Sequence, residues 1–281
     1  MGNMIYETLI DWCSDNTNVR TVILTSSRAN PDTKKDVLSD YDIELYVKDV
    51  LFFKESDEWI EALGLILIRW PLLPETTWSA DWITRLIQFQ DGTRIDLQIT
   101  EKAPQYHKNF DAGYEVILDK DGAADGIGNP DYENLFIKKP GKQEFENLIN
   151  GFFWDSLYVA KALWREELFY AKYMLDSVLR FHYQQIFIEW YIGSKNNWSV
   201  STNKYGRDFK DYIEPDLWEK IERTFSGASI SGNWNALLKM IDVAGILLKI
   251  VADKLGYTYA GKLEEGIIDR ISHIKKNVCC H

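Results

Sequence analysis

Two short segments of this chain alternate apolar and polar residues, and both carry aspartate on the polar side. The first is Asp40-Tyr41-Asp42-Ile43-Glu44-Leu45-Tyr46-Val47, and the second is Thr93-Arg94-Ile95-Asp96-Leu97-Gln98-Ile99-Thr100. Side chains in a strand alternate faces, so residues two apart share one. Tyr41, Ile43, Leu45 and Val47 therefore face a core, and Asp40, Asp42 and Glu44 lie on the opposite side. In the second segment Ile95, Leu97 and Ile99 form the apolar face, and Arg94, Asp96 and Gln98 form the other. If the two strands pair, Asp96 lies opposite the Asp40/Asp42 pair. The pattern requires a sheet covered on one face, with three carboxylates gathered on the other.

The surrounding residues supply such a sheet. Apolar spacing over residues 4–14 (Ile5, Leu9, Ile10, Trp12) predicts a helix, and Val22-Ile23-Leu24 within 20–24 predicts a buried strand. A Ser-rich turn, Thr25-Ser26-Ser27-Arg28, follows. Residues 56–63 read as a short helix, and residues 65–70 as a strand ended by Pro71. Asp91-Gly92 between 82–90 and 93–100 is a strong hairpin signal, and 115–118 is a further short strand. After Pro140 the apolar period lengthens to helical spacing: Phe145, Leu148, Ile149, Phe152 and Phe153 form one stripe, and Leu168, Ala171, Leu175 and Leu179 another. Residues 186–192, 217–225, 234–255 and 263–274 continue it. The expected fold class is α+β. A mixed-sheet domain over residues 1–140 is followed by a helical bundle over 141–281.

Charge and cysteine content narrow the function classes. The 281 residues include 32 Lys and Arg against 43 Asp and Glu, for a formal net charge of −11. A grip on nucleic acid needs a basic face, so nucleic-acid binding is not expected. An acidic surface suits a cationic small molecule. Cys13, Cys279 and Cys280 offer no disulfide framework, which fits a reducing cytoplasm. The N-terminal residues lack the basic-then-apolar pattern of a signal peptide, and the apolar stretch 244–252 is short and interrupted by Lys249. Neither a membrane span nor secretion is expected. The terminal Cys-Cys-His has metal-binding residue types but reads as a frayed end.

Three aspartates at a sheet edge suit Mg²⁺, which takes hard oxygen ligands and keeps room for water and phosphate. Paired strands lie about 4.8 Å apart, and two-metal sites separate their ions by roughly 3.5–4 Å. Asp40, Asp42 and Asp96 are thus candidate metal ligands and catalytic residues, with Asp96 also a candidate proton acceptor. Ser26 and Ser27 can donate to phosphate oxygens, and Arg28 can pair with phosphate through its fork of donors. Each has a plainer structural reading, as a turn or a surface ion pair. Lys161 and Arg165 lie four apart on one helix face and can clamp phosphates. Lys204 sits in a polar loop. Trp154, Tyr158 and Trp198 can stack on a ring or fill a core. The four histidines show no ligand-like spacing, and no Walker-type phosphate loop is present.

Taken together the motifs resemble the aminoglycoside 6-adenylyltransferases, within the nucleotidyltransferase fold shared with DNA polymerase β. The resemblance rests on Ser26-Ser27-Arg28-Ala29-Asn30, Asp40-Tyr41-Asp42-Ile43, Ile95-Asp96-Leu97, Leu118-Asp119-Lys120-Asp121-Gly122, Lys139-Pro140, the run from Tyr158 through Lys161 to Arg165, and Lys204-Tyr205. It implies Mg²⁺ and ATP, with AMP passed to a hydroxyl of an aminoglycoside such as streptomycin and pyrophosphate released. Lys161 and Lys204 would be nucleotide-binding, as would Ser26, Ser27 and Arg28. Two departures stand out. The family's turn glycine is Ser26 here, and the family has acidic residues where this chain has Gly151 and Tyr173. They keep two alternatives open: a different acceptor, or a non-catalytic nucleotide-binding module.

Overall fold

The computed structural model describes residues 4–31, 33–74, 79, 81–106 and 110–276. The expected terminal Cys-Cys-His lies outside the described residues, as does His107. The chain divides into two compact units, Met1–Asn134 and Leu135–His281.

The first unit is built on six strands: β1 (Val19–Thr25), β2 (Tyr41–Val47), β3 (Ile66–Trp70), β4 (Ile83–Phe89), β5 (Arg94–Thr100) and β6 (Tyr114–Asp119). Their order across the sheet is β3-β4-β5-β2-β1-β6. The β2–β5 pair is parallel, and the other neighbours are antiparallel. The Asp91-Gly92 turn joins β4 to β5 as the sequence predicts, with Gly92 at φ 94. Helix α1 (Met4–Asp15) buries Ile5, Leu9 and Cys13, spaced four apart, against Val22, Leu24, Ile43, Leu45, Ile95 and Leu97. This apolar contact stabilises the sheet at about 25 cal/mol per Å² removed from water. The short helix α2 (Ser26–Ala29) leaves the end of β1.

The helix predicted over 56–63 is the shorter α4 (Glu58–Glu61), and a separate short helix, α3 (Leu51–Glu55), precedes it. Asp57, between them, forms a buried ion pair with Arg85 of β4 at 2.8 Å. Arg85 also donates to the carbonyls of Phe53 and Pro74, so one guanidinium fastens three segments. Removing either charge would leave the other buried and uncompensated, at a cost of about 3–5 kcal/mol. The opposite face of the sheet carries a small cluster of Ile23, Tyr46 and Phe110, with Trp82, Tyr114 and Ile127 packed on it.

The second unit is helical: α5 (Lys142–Trp164), α6 (Leu168–Lys172), a π-helical stretch (Tyr173–Gln184), α7 (Gln185–Lys195), α8 (Phe209–Tyr212), α9 (Pro215–Glu222), α10 (Ile230–Leu255) and α11 (Gly261–Lys276). The apolar stripes read from the sequence form its core, including Phe145, Phe152, Leu175, Phe187, Met240 and Leu247. Helix α10 is bounded by local chemistry. The Ser229 hydroxyl accepts from the Gly232 amide at its start, and Gly256 closes it at φ 70. The wide-pitched 173–184 stretch is a departure from ordinary helix, a feature frequent near functional sites. It buries Arg180, which donates to Thr224 and to Gln184. Among the described residues, no helix is long and apolar enough to cross a membrane.

Candidate active site

Parallel pairing of β2 with β5 puts Asp42 in register with Asp96, and the β1–β2 pairing puts Asp42 in register with Thr25. Thr25, Asp42 and Asp96 thus form one row across three neighbouring strands, on the same face. The residues β1 Thr25 and α2 Ser26 are consecutive, so the Ser-rich turn starts where the carboxylate row ends. Thr25 Oγ1 donates to the Asp42 carbonyl at 3.3 Å, which ties the turn to β2. Asp40 precedes the strand by one residue and faces the same side.

Arg94 stands among these carboxylates. Its guanidinium donates twice to Asp96, at 2.9 and 2.8 Å, and lies 3.5 Å from an Asp40 oxygen. The bonds to Asp96 hold the Arg94 pKa above its ordinary value, helped by the fields of Asp96, Asp40 and Asp42. The three expected aspartates are therefore brought to one edge but are paired with an arginine. In this conformation no three His, Cys, Asp or Glu side chains among the described residues gather as a metal site. The donor set nevertheless fits a hard divalent cation: carboxylate oxygens, partly exposed, around a position that already draws positive charge.

Ser26 adopts φ 60, the left-handed region that favours glycine. The position where the family has glycine thus keeps a glycine-like backbone while carrying a Cβ. Gly113 shows why this turn is tight: a Cβ there would meet the backbone of Asn30 at 3.0 Å. Arg28 has a role that its sequence context did not suggest. Its guanidinium donates to the carbonyls of Ser39 (2.6 Å) and Asp40 (3.0 Å). Its guanidinium also lies 3.8 Å from the Tyr41 ring centroid, and Tyr41 stacks on Tyr6 of α1 at 4.5 Å. Arg28 therefore positions the Asp40-Tyr41-Asp42 segment. No charge pattern marks this, because the acceptors are backbone carbonyls.

The sequence places Glu44 on this face but assigns it no role there. Strand alternation puts it beside Asp42, but it is only 6% exposed. Its register partners are Ile23 on β1 and Gln98 on β5. The Tyr46 hydroxyl donates to it at 2.5 Å. Burial raises the Glu44 carboxyl to about 7 against that hydrogen bond. Burial likewise raises the Tyr46 phenol, reinforced by the charge of Glu44. The Glu44 partners Ile23 and Tyr46 belong to the cluster with Phe110, which makes this end of the stripe an interior.

In the helical unit Lys161 is exposed near the end of α5, with its ammonium 5.4 Å from the Tyr158 ring. Lys204 is exposed in a tight turn, where Asn203 and Tyr205 both have positive φ. Trp154 is exposed and edge-on to Tyr158, whereas Trp198 packs on the core against Gly193. Of the acidic residues near Gly151 and Tyr173, Asp176 is held by Lys172 (2.6 Å) and Arg180 (3.1 Å). Asp155 instead lines a cavity of about 370 Å³ with Tyr173, Ser177, Val178, His182 and Tyr183. Tyr183 donates to Asp155 at 2.8 Å, and burial pushes its phenol up to about 12, aided by Asp155. A Cβ on Gly151 would come within 2.8 Å of the Tyr183 hydroxyl, so that hydroxyl occupies the space of a side chain at 151.

A family model described as Streptomycin adenylyltransferase matches residues 2–274. The chain is 31% identical over 265 residues to an aminoglycoside 6-adenylyltransferase of Bacillus subtilis, with 92% of each chain covered. It is 28% identical over 216 residues to one from Staphylococcus aureus, covering 74% of this chain and 75% of the relative. Among solved structures, an aminoglycoside 6-adenyltransferase from Bacillus subtilis is similar at 27% identity and TM-score 0.48, covering 98% of this chain and 99% of that one.

Proposed function

The chain belongs to the streptomycin adenylyltransferase family, and from that premise we propose that it transfers AMP from Mg·ATP to a hydroxyl of an aminoglycoside such as streptomycin, releasing pyrophosphate. Family membership makes it a nucleotidyltransferase. The observation that carries the reading further is the in-register Thr25–Asp42–Asp96 row beside the Ser26-Ser27 turn.

Asp40, Asp42 and Asp96 would hold Mg²⁺, which when bound neutralises phosphate charge and favours an alkoxide-like attacking oxygen. The acceptor oxygen forms a bond to the α-phosphorus of ATP, and the bond from that phosphorus to the β-phosphate bridging oxygen breaks, so pyrophosphate leaves. The acceptor's proton goes to the Asp96 carboxylate, which is partly exposed and so within reach of solvent. Ser26 and Ser27 donate to phosphate oxygens, while Arg28 holds the Asp40–Asp42 segment in place. Lys161 and Lys204 bind the triphosphate. Asp155 receives a cationic group of the acceptor in the cavity it shares with Tyr173 and Tyr183. That assignment makes good the acids that Gly151 and Tyr173 replace.

The test is pyrophosphate release from Mg·ATP with streptomycin as acceptor, compared with Asp96→Asn. Release by the parent chain alone is the expected result. Equal release by Asp96→Asn would remove Asp96 from the chemistry. No release with streptomycin but release with another acceptor would reassign the substrate.

A further inference from the structure

Near the C-terminal ends of α5 and α11 the helical unit has a second cavity, of about 300 Å³. Its lining repeats one spacing on two helices. The end of α5 contributes Lys161 and Trp164, its cap residue is Arg165, and α11 contributes Arg270, His273 and Ile274. Each set occupies positions i, i+3 and i+4, which share one helix face, and the two helices pack together. Among the described residues the lining includes three full cations and an imidazole, and no carboxylate. The chain as a whole carries a net charge of −11. A concavity lined by one sign of charge focuses its field and concentrates ligands of the opposite sign.

We propose that this cavity is a binding site for a diphosphate-containing anion, in which Arg270 and His273 act together with Lys161 and Arg165. The size argues for that class of ligand. Pockets for whole organic ligands span roughly 300–1,000 Å³, so this one is at the lower limit and suits a pyrophosphate or the end of a triphosphate better than a complete nucleotide. The donors also match. Two arginine forks offer paired N–H groups to phosphate oxygens, and the lysine supplies a compact charge. Mutual repulsion of these cations is relieved when an anion lies between them. The proposal deepens the phosphate-binding role given above to Lys161 and rests on it for the link to ATP; the anion site itself stands on the cavity.

A purely structural explanation competes with it. Both helices end here, and basic side chains near helix C-termini are stabilising in their own right. The experiment separates the two. Binding of inorganic pyrophosphate and of inorganic phosphate to the full-length chain is measured by titration calorimetry, without divalent metal. The parent chain, Arg270→Gln, His273→Gln and the double variant are compared, with thermal unfolding run in parallel. Pyrophosphate should bind the parent at least tenfold more tightly than phosphate, and the double variant should lose at least tenfold in affinity with its fold retained. Unchanged pyrophosphate binding in the double variant, with or without a lowered melting temperature, overturns the proposal. So does equal affinity for phosphate and pyrophosphate, or no binding by the parent. Asp96→Asn should bind pyrophosphate normally. Absence of adenylyl transfer by the parent chain, with its pyrophosphate binding intact, would count against the enzymatic reading alone.

Discussion

Replacing Glu44 by Gln should make the sheet unit more stable at alkaline pH and flatten its pH dependence. The Glu44 carboxyl is displaced from 4.5 to about 7 because it is buried beside Ile23 and Tyr46. Its pKa in the folded chain is therefore above that in the unfolded chain, so the folded state binds the proton more tightly. The resulting stabilisation is fully present below pH 4.5 and is lost as pH rises towards and through about 7. At about 1.36 kcal/mol per pH unit, the displacement from 4.5 to about 7 corresponds to a loss of about 3 kcal/mol. A glutamine keeps the shape, can still accept from the Tyr46 hydroxyl and carries no charge. Urea denaturation followed by circular dichroism at half-unit steps from pH 4.5 to pH 8 measures this directly. The parent should lose stability across that window relative to Glu44→Gln, with the gap approaching about 3 kcal/mol at pH 8. Parallel curves for the two proteins would show that Glu44 is hydrated or compensated, and would refute the argument.

Other expected outcomes follow from the same site. Ser26→Gly removes a left-handed strain of about 1–2 kcal/mol against an entropy cost of roughly 0.5–1 kcal/mol. It should raise stability slightly, as read by the same denaturation, and a clear loss would mean that the serine side chain makes a contact worth more than the strain. Arg28→Ala loses charge-assisted bonds to the Ser39 and Asp40 carbonyls. Steady-state kinetics should then show kcat falling by at least tenfold with little change in the KM for ATP, whereas a rise in KM alone would return Arg28 to a phosphate-binding role. Asp155→Asn should raise the KM for streptomycin by about tenfold, on the order of 1.4 kcal/mol, and leave the KM for ATP unchanged. An unaltered acceptor KM would place the acceptor's cation elsewhere.

The sequence by itself determined the elements and their faces. Period-two alternation in 41–47 and 94–100, the Asp91-Gly92 turn and the helical stripes after Pro140 are local signals, and each appears where the pattern puts it. The apolar face of β2 and the carboxylates on its reverse follow from the same alternation. Tertiary structure decided whatever depends on what packs from a distance. Register is one example: the exact Asp42–Asp96 alignment needs β2 and β5 to lie parallel, an arrangement set by the connection through β3 and β4. Glu44 is another, since alternation gives it the same face as Asp42, and its neighbours Ile23 and Tyr46 become an interior by packing with the distant Phe110. Arg28 and Arg94 read alike in sequence, as arginines next to the candidate site. One spends its donors on backbone carbonyls, and the other on the carboxylates themselves. Those choices depend on groups far apart in the chain, and periodicity carries no record of them.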